Sequence, residues 1–170
     1  MNPSSIALPT APAVPAPYIS VVIPVYNEEE NLAELSERLL AALSAYGRPF
    51  EIIFVDDGSA DRSWEILSDL HQRHPEHIRA LQLLRNFGQH QAIFAGFQAV
   101  RGRVIVTLDA DLQNLPEDIP KLVAKLEEGY DTVGGWRENR LDSWLRRLPS
   151  YFMNRTMSWV TGVRLRDYGC

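Results

Sequence analysis

The stretch "SVVIPVYNEEENLAELSERLLAAL", residues 20–43, indicates the fold class because its hydrophobic pattern changes once along its length. The first six residues form an apolar run, which is typical of a strand buried on both faces of a parallel sheet. From Leu32 onward, leucines recur at the spacing of one helix face, at positions 32, 35, 39, 40 and 43. Asn27, followed by Glu30 three residues later, predicts a capping box at the start of that helix. The stretch therefore predicts a strand followed by an amphipathic helix.

The alternation of strand and helix patterns continues through the chain. Further apolar runs predict strands at "EIIFV" (51–55), "ALQLL" (80–84), "VIVTL" (104–108) and "DTVGG" (131–135). Helical periodicity predicts three more helices. The apolar residues of the second are Trp64, Leu67 and Leu70, and those of the third are Ile93, Phe94, Phe97 and Val100. The fourth begins at about Glu117 and carries Ile119, Leu122, Val123 and Leu126. This order predicts an α/β fold, in which helices cover both faces of a mostly parallel sheet.

Composition restricts the function classes. The chain has 170 residues, of which 45% are hydrophobic and 23% charged, enough for one domain with a sizeable core. Its formal net charge of −5 argues against a nucleic-acid-binding protein. The only cysteine is the last residue, which excludes a disulfide framework within one chain and favours a reducing, cytoplasmic compartment. No apolar run approaches the roughly 20 residues that cross a bilayer, so the sequence predicts neither a membrane span nor a secretion signal.

Three regions of the chain differ in composition. Residues 1–17 contain five of the 11 prolines among alanine and serine, which predicts a disordered leader. Residues 18–135 carry the strand and helix patterns and form the predicted core. Residues 136–170 contain seven arginines and only three acidic residues, whereas the rest of the chain has an acidic excess. Because arginine binds phosphate through two parallel hydrogen bonds, the last region is predicted to meet an anionic ligand.

A polar cluster follows each of the first four predicted strands: "YNEEEN" (26–31), "DDGSAD" (56–61), "RNFGQH" (85–90) and "DADLQN" (109–114). In parallel α/β sheets, ligands bind outside the carboxyl ends of the strands, so the four clusters predict one site. In the second cluster, a tight turn explains Gly58 and Ser59. Asp56 and Asp57 are better explained as acceptors of hydrogen bonds from the ribose or base of a nucleoside.

The cluster at 109–114 has the pattern of a metal site. Asp109 and Asp111 lie where the fourth strand opens into a loop, so both carboxylates can turn to the same side, and Gln113 adds a neutral oxygen. Mg²⁺ and Mn²⁺ take such oxygen ligands and are typically held by one or two carboxylates together with substrate phosphates. The alternative is an acidic loop that caps the helix near Pro116. The neighbouring acidic loops favour the metal site, because crowded carboxylates repel one another unless a cation joins them.

Five stretches resemble the signatures of family 2 inverting glycosyltransferases with the GT-A fold: "SVVIPVYNEEENL", "FVDDGSADRS", "RNFGQHQAIFAGF", "DADLQNLPEDIPKL" and "RDYGC". More narrowly, they are similar to the polyprenyl-phosphate sugar transferases, and most similar to the undecaprenyl-phosphate 4-deoxy-4-formamido-L-arabinose transferases. Dolichol-phosphate mannose synthases are more distant. The resemblance implies transfer of a sugar to undecaprenyl phosphate in lipid A modification, with UDP-4-deoxy-4-formamido-L-arabinose as the favoured donor. UDP-glucose and GDP-mannose are the alternative donors.

The resemblance also implies functional residues. The nucleotide-sugar pocket would comprise Pro24, Tyr26, Glu28, Val55, Asp57, Asp109 and Ala110. The ligands of Mg²⁺ or Mn²⁺ would be Asp109, Asp111 and Gln113, and Asp111 would also be catalytic. The acceptor phosphate would meet Arg137, Arg140, Arg146 and Ser150. Asp167 would either act as a base toward the acceptor or only orient the arginines.

In these relatives, the motif at 166–170 continues and is followed by amphipathic and transmembrane helices. The chain is therefore expected to be a soluble fragment, truncated at its C-terminus, of an enzyme at the cytoplasmic face of the inner membrane. It is expected to bind its nucleotide without turnover, and a homo-oligomer is compatible with this expectation.

Two other function classes stay open. An Asp-x-Asp phosphohydrolase would use the first aspartate as its nucleophile, but it would need downstream basic or hydroxyl groups, and Lys121 and Lys125 have the pattern of a solvated helix face. A non-catalytic nucleotide-binding domain would retain the donor pocket without transferring a sugar.

Overall fold

The computed structural model describes residues 16–135, in which strands and helices alternate along the chain. The elements are β1 (Ile19–Val25), α1 (Leu32–Tyr46), β2 (Phe50–Asp56), α2 (Ser63–Arg73), β3 (Ile78–Gln82), α3 (Gln89–Ala99), β4 (Val104–Thr107), a 3-10 turn (Pro116–Asp118) and α4 (Ile119–Glu127). The α/β fold predicted from the sequence is confirmed. Residues 1–15 of the predicted leader (1–17) and the arginine-rich region at 136–170 lie outside the described residues.

The four strands form one parallel sheet in the order β3-β2-β1-β4. All residues of the two central strands, β1 and β2, are buried, as expected for a sheet covered on both faces. From β1 through β2 to β3, each new strand is added on the same side of the sheet. The chain then crosses back to the other side of β1, where it forms β4. Right-handed crossovers therefore place α3 on the face opposite α1 and α2, and the strand order reverses between β1 and β4.

Helix α1 packs through the leucine face that its spacing predicts. Leu32, Leu35, Leu39 and Leu43 are fully buried, and burying a leucine contributes about 1.5 to 3 kcal/mol of transfer free energy. The predicted capping box is wrong, because the helix begins at Leu32 with Asn31 as its N-cap residue. Asn27 has a left-handed φ of 56°, and its side chain accepts a hydrogen bond from the backbone N–H of Ala60 instead.

Helix α3 packs on β1 and β2 mainly through small residues, and of the predicted side chains Val100, directly after the helix, packs against this core. Ala92 and Gly96 are buried against Val22 and Val55, whereas Phe94 and Phe97 are 60% and 42% exposed. The helix backbone approaches the sheet so closely that a Cβ on Gly96 would collide with the side chain of Val22. Only small residues fit at this distance, so the aromatic residues that suggested the core face lie on the outer face.

A buried polar network fixes the connection from α3 to β4. Glu51 is 5% exposed and accepts hydrogen bonds from Ser20 Oγ at 2.7 Å, the backbone N–H of Arg101 at 2.8 Å and the guanidinium of Arg79 at 3.2 Å. The backbone N–H of Gly102 donates to Ser20 Oγ at 2.9 Å. Partners of this kind offset the cost of burying a carboxylate. The network therefore fixes the start of β4, the strand that leads into the cluster at 109–114.

The chain divides into two compact units, residues 1–120 and 121–170. In the described part of the second unit, Lys125 forms an ion pair with Glu128 at 2.6 Å and also lies over the ring of Tyr130. The predicted fifth strand at 131–135 is wrong: these five residues form no strand, and only Val133 among them is partly shielded from solvent. Between residues 16 and 135, no helix has the length and apolar character needed to cross a membrane.

An ion pair joins α1 to the turn that follows the cluster at 109–114. Arg38 donates to both carboxylate oxygens of Glu117, from Nε at 2.9 Å and from Nη2 at 2.8 Å, and a third contact reaches Glu34 at 3.3 Å. The hydrogen bonds from Arg38 lower the pKa of Glu117 from 4.5 to about 2. Because the folded state lowers this pKa, the stabilisation is fully present above about pH 4.5 and is lost as the pH falls toward 2.

We expect Glu117→Gln to lower the urea midpoint of unfolding at pH 6, and the difference from wild type to shrink as the pH approaches 2. The matched control is Glu65→Gln, which removes a carboxylate whose 3.4 Å contact with Arg62 lies on an exposed surface. We expect this control to change the midpoint less at pH 6, because exposed ion pairs contribute little. Equal midpoints for wild type and Glu117→Gln at pH 6 would contradict the assignment.

Candidate functional site

The loops after β1 and β2 are joined by a series of hydrogen bonds. Three backbone N–H groups of the loop after β1 donate to side chains that follow β2: Asn27 to Ser59 at 3.0 Å, Glu28 to Ser63 at 2.9 Å and Glu29 to Asp61 at 3.1 Å. In the opposite direction, the backbone N–H of Arg62 donates to the side chain of Glu29 at 3.0 Å. Burial acts to raise the pKa of Asp61, but hydrogen bonds from Ser63 and the backbone of Glu29 outweigh it, so the pKa is lowered. The two loops therefore behave as one unit at the edge of the sheet.

Asp57 attaches the loop after β3 to the end of β2. Its carboxylate is 2% exposed and accepts the backbone N–H of Phe87 at 2.8 Å through Oδ1 and that of Gly88 at 2.9 Å through Oδ2. Gly88 is the N-cap residue of α3, so the carboxylate also lies at the positive end of the helix dipole. The neighbouring Asp56 is fully buried and accepts hydrogen bonds from Ser59 N and Gln82 Nε2, both at 3.2 Å.

The loop after β3 passes directly over Gly58. This glycine has a φ of +69°, and a Cβ added to it would lie 2.5 Å from the carbonyl carbon of Arg85 and 2.8 Å from the backbone nitrogen of Asn86. A tight turn alone, as expected from the sequence, explains only the positive φ. The close approach of the Arg85 and Asn86 backbone is a second reason, independent of φ, why only glycine fits at this position.

The loops enclose a pocket of about 320 Å³ at the carboxyl ends of the strands, where the strand order reverses. Its lining comes from all four loops: Pro24, Val25, Tyr26, Glu28, Asp57, Asn86, Gln89, Asp109, Ala110 and Asp111. Four of these residues are acidic and none is basic. The pocket therefore has the composition of a site for a cation, or for a ligand that carries one.

Most of the residues predicted for the site meet in this pocket. Pro24, Tyr26, Glu28, Asp57, Asp109, Ala110 and Asp111 line it, whereas Val55 and Gln113 are not among its lining residues. Val55 is fully buried in the core beneath α3. The predicted acceptor residues Arg137, Arg140, Arg146 and Ser150, together with Asp167, lie outside the described residues.

The prediction missed two polar residues of the pocket, Asn86 and Gln89. Both belong to the cluster at 85–90, which the sequence placed at the correct edge of the sheet without naming the side chains that reach inward. Gln89 Nε2 donates to Asp109 Oδ1 at 2.7 Å. A polar residue at the first position of a helix that begins at this edge is the signal that could have identified it.

The carboxylates of Asp109 and Asp111 fit a divalent cation. Each uses one oxygen within the protein, since Gln89 Nε2 donates to Asp109 Oδ1 and the backbone N–H of Gln113 donates to Asp111 Oδ1 at 3.0 Å. Among residues 16–135, no three histidine, cysteine, aspartate or glutamate side chains come close enough to hold a metal alone. Two carboxylates completed by phosphate oxygens of a ligand are the usual arrangement for Mg²⁺, so the residues present fit the ion.

Residues 20–168 match the family described as glycosyl transferase family 2. The chain belongs to this family. The match covers all four loops of the pocket and confirms the family inferred from the motifs. It also extends into the arginine-rich region at 136–170.

The undecaprenyl-phosphate 4-deoxy-4-formamido-L-arabinose transferase of Enterobacter sp. (strain 638) is 55% identical to this chain over 152 residues. The alignment covers 89% of this chain and 46% of the relative, so the chain spans about half the length of that protein. The relative carries the name of the narrower group that the motifs resemble.

Solved structures share the fold. The mannosyltransferase PcManGT from Pyrobaculum calidifontis, in complex with GDP-Man and Mn²⁺, is similar with a TM-score of 0.54 and 24% identity over 76% of this chain and 38% of its own. Glucosyl-3-phosphoglycerate synthase from Mycobacterium tuberculosis, in complex with Mn²⁺, UDP and glucosyl-3-phosphoglycerate, is similar with a TM-score of 0.50 and 25% identity. The match covers 65% of this chain and 39% of the synthase. The predicted GT-A fold is thereby confirmed.

We expect Gly58→Ala to destabilise the protein more than Gly47→Ala. Both glycines have a positive φ, of +69° and +77°, but a Cβ at Gly47 has no neighbour within 4 Å. The control therefore measures the conformational cost alone, about 1 to 2 kcal/mol, whereas Gly58→Ala adds a clash with backbone of about 1 to 3 kcal/mol. Urea unfolding of both variants measures the difference, and equal destabilisation would show that the loop can move away from Gly58.

Proposed function

We propose that this chain carries the donor site of an inverting glycosyltransferase that moves a sugar from a nucleotide-sugar to polyprenyl phosphate. We further propose UDP-4-deoxy-4-formamido-L-arabinose as the donor and undecaprenyl phosphate as the acceptor. The observation that carries the proposal is the acidic pocket at the switch point of the sheet, which includes Asp109 and Asp111. The 55% identity to a transferase of that name supports the choice of substrates.

The charge of the pocket accounts for the need for a metal ion. A nucleoside diphosphate is anionic, and the lining of the pocket holds four carboxylates, so the two repel each other unless a cation lies between them. Asp109 and Asp111, with Gln113, would hold Mg²⁺ or Mn²⁺. The bound ion would neutralise charge on the departing nucleoside diphosphate. The Mn²⁺ and UDP in the structure of glucosyl-3-phosphoglycerate synthase support this proposal.

The remaining pocket residues would bind the nucleotide. Pro24, near the end of β1, and Tyr26, directly after this strand, line the pocket, and the 48% exposed Tyr26 offers a ring surface for a base or sugar. Asp57 already accepts two backbone N–H groups, but a carboxylate has about four acceptor positions, so it can also accept a hydrogen bond from a base or ribose. Glu28 is oriented by Asn31, whose Nδ2 donates to its Oε2 at 2.7 Å.

The acceptor determines the rest of the chemistry. A phosphate monoester is anionic near neutral pH, so it can attack the anomeric carbon without a strong general base. Arg137, Arg140, Arg146 and Ser150 would hold this phosphate for in-line attack. Asp167 would orient these arginines or act as a base. Because the acceptor is a lipid and the donor a nucleotide, we place the reaction at the cytoplasmic face of the inner membrane.

We expect UDP binding to require Mn²⁺ or Mg²⁺, and Asp111→Asn to weaken Mn²⁺-dependent UDP binding by about 1 to 3 kcal/mol, the size of a lost charged interaction. Asparagine keeps the shape of the side chain and removes only the charge. The control is Asp69→Asn, which removes the same charge from an ion pair with Arg73 on the surface of α2. Titration calorimetry measures both variants, and equal UDP affinity in Mn²⁺ and in EDTA would contradict the metal assignment.

The acceptor proposal predicts a different pattern for the arginine-rich region. Arg137→Ala or Arg146→Ala should weaken binding of a short-chain polyprenyl phosphate and leave the UDP affinity unchanged, because the two ligands use separate residues. Arg147→Ala is the matched control, since it removes an adjacent charge that we do not assign to the acceptor. A matching loss of UDP affinity would move these arginines to the donor site, and an equal loss in Arg147→Ala would show only general charge attraction.

A further inference from the structure

A hydrogen bond inside the pocket joins the loops that follow β3 and β4. Nε2 of Gln89, the first residue of α3, donates to Oδ1 of Asp109 at 2.7 Å, and both residues line the pocket. The bond links the start of α3, the helix after β3, to the loop after β4, and β3 and β4 are the two outer strands of the described sheet. An ionised carboxylate has no proton to donate, so the amide nitrogen of Gln89 must face it.

The backbone of Gln89 is itself fixed. The two preceding residues, Phe87 and Gly88, donate their backbone N–H groups to the buried carboxylate of Asp57. Gly88 has a φ of +98° and serves as the N-cap residue of α3. A continuous series of contacts therefore runs from Asp57 at the end of β2, through the start of α3, to the carboxylate of Asp109.

We propose that Gln89 is a positioning residue for Asp109. It fixes one carboxylate oxygen through a neutral donor, so the second oxygen has a defined direction while the full negative charge stays available for a cation. A lysine or arginine in this position would also donate, but its charge would compete with the cation. Partners of this kind orient metal ligands, and their loss typically lowers metal affinity by 10-fold to 100-fold.

The proposal rests on the proposed function, because it requires that Asp109 holds a divalent cation. The test therefore measures the affinity for Mn²⁺ of the whole 170-residue chain in the presence of UDP. Electron paramagnetic resonance of free Mn²⁺ gives this affinity without any transfer reaction. The matched control is Gln91→Ala, which removes the same side chain two positions further along α3, where it is exposed and not part of the pocket lining.

We expect Gln89→Ala to raise the apparent Kd for Mn²⁺ about tenfold or more, and Gln91→Ala to leave it unchanged. At saturating Mn²⁺, the UDP affinity of Gln89→Ala should return to the wild-type value, since the contacts of the nucleotide are intact. Gln89→Lys, which keeps a donor but adds a positive charge, should lower Mn²⁺ affinity at least as much as Gln89→Ala. Should Gln89→Ala fail to fold, Gln89→Asn shortens the side chain by one methylene and serves the same purpose.

The outcomes separate the two proposals. If wild type binds UDP equally well in EDTA, the metal site of the proposed function fails, and the role of Gln89 fails with it. If wild type requires Mn²⁺ and Gln89→Ala has unchanged Mn²⁺ affinity, only the role of Gln89 is overturned. If UDP binding by Gln89→Ala stays weak at saturating Mn²⁺, Gln89 contacts the nucleotide instead of positioning Asp109. If Gln89→Lys binds Mn²⁺ as tightly as wild type, the donor at this position does not need to be neutral, and that part of the proposal is overturned.

Discussion

The geometry of the pocket depends on the buried carboxylate of Asp57 and the two backbone N–H groups that it accepts. These bonds, at 2.8 and 2.9 Å, hold the start of α3 against the end of β2, and charge-assisted hydrogen bonds of this kind are about twice as strong as neutral ones. The adjacent Gly58 permits the approach, because any side chain there would meet the backbone of Arg85. Two neighbouring residues thus decide where the loop after β3 lies, and with it the positions of Asn86 and Gln89.

The four carboxylates of the pocket differ in what their hydrogen bonds hold in place. Asp57 accepts hydrogen bonds through both oxygens and attaches the start of α3, whereas Glu28 accepts one from Asn31 within its own loop. Asp109 and Asp111 each accept one hydrogen bond from a neutral donor, which orients them without reducing their charge. The strand order places all four carboxylates at one switch point. Under the proposed function, the anionic nucleotide would need a cation between itself and these carboxylates, and we propose that Asp109 and Asp111 hold it.

Much of this arrangement could be predicted from the sequence because strands, helix spacing and strand-end clusters are local patterns. The sequence identified β1, β2 and β4, the leucine face of α1 and the edge of the sheet where the loops meet. It failed where distant backbones decide the outcome: Phe94 and Phe97 lie outside because α3 approaches β1 too closely for large residues. Asn27 hydrogen-bonds a loop 33 residues away instead of capping α1. Gln89 was missed for the same reason, since its partner is 20 residues away in sequence.

Crystallography with UDP and Mn²⁺ can show whether the pocket holds a nucleoside diphosphate through a cation at Asp109 and Asp111, as we propose. Diffraction data collected at the manganese absorption edge locate the ion independently of any assumption about its ligands. We expect one anomalous peak within bonding distance of both carboxylates and of the diphosphate. An ordered UDP in the pocket without such a peak, or a peak away from Asp109 and Asp111, would contradict the proposal.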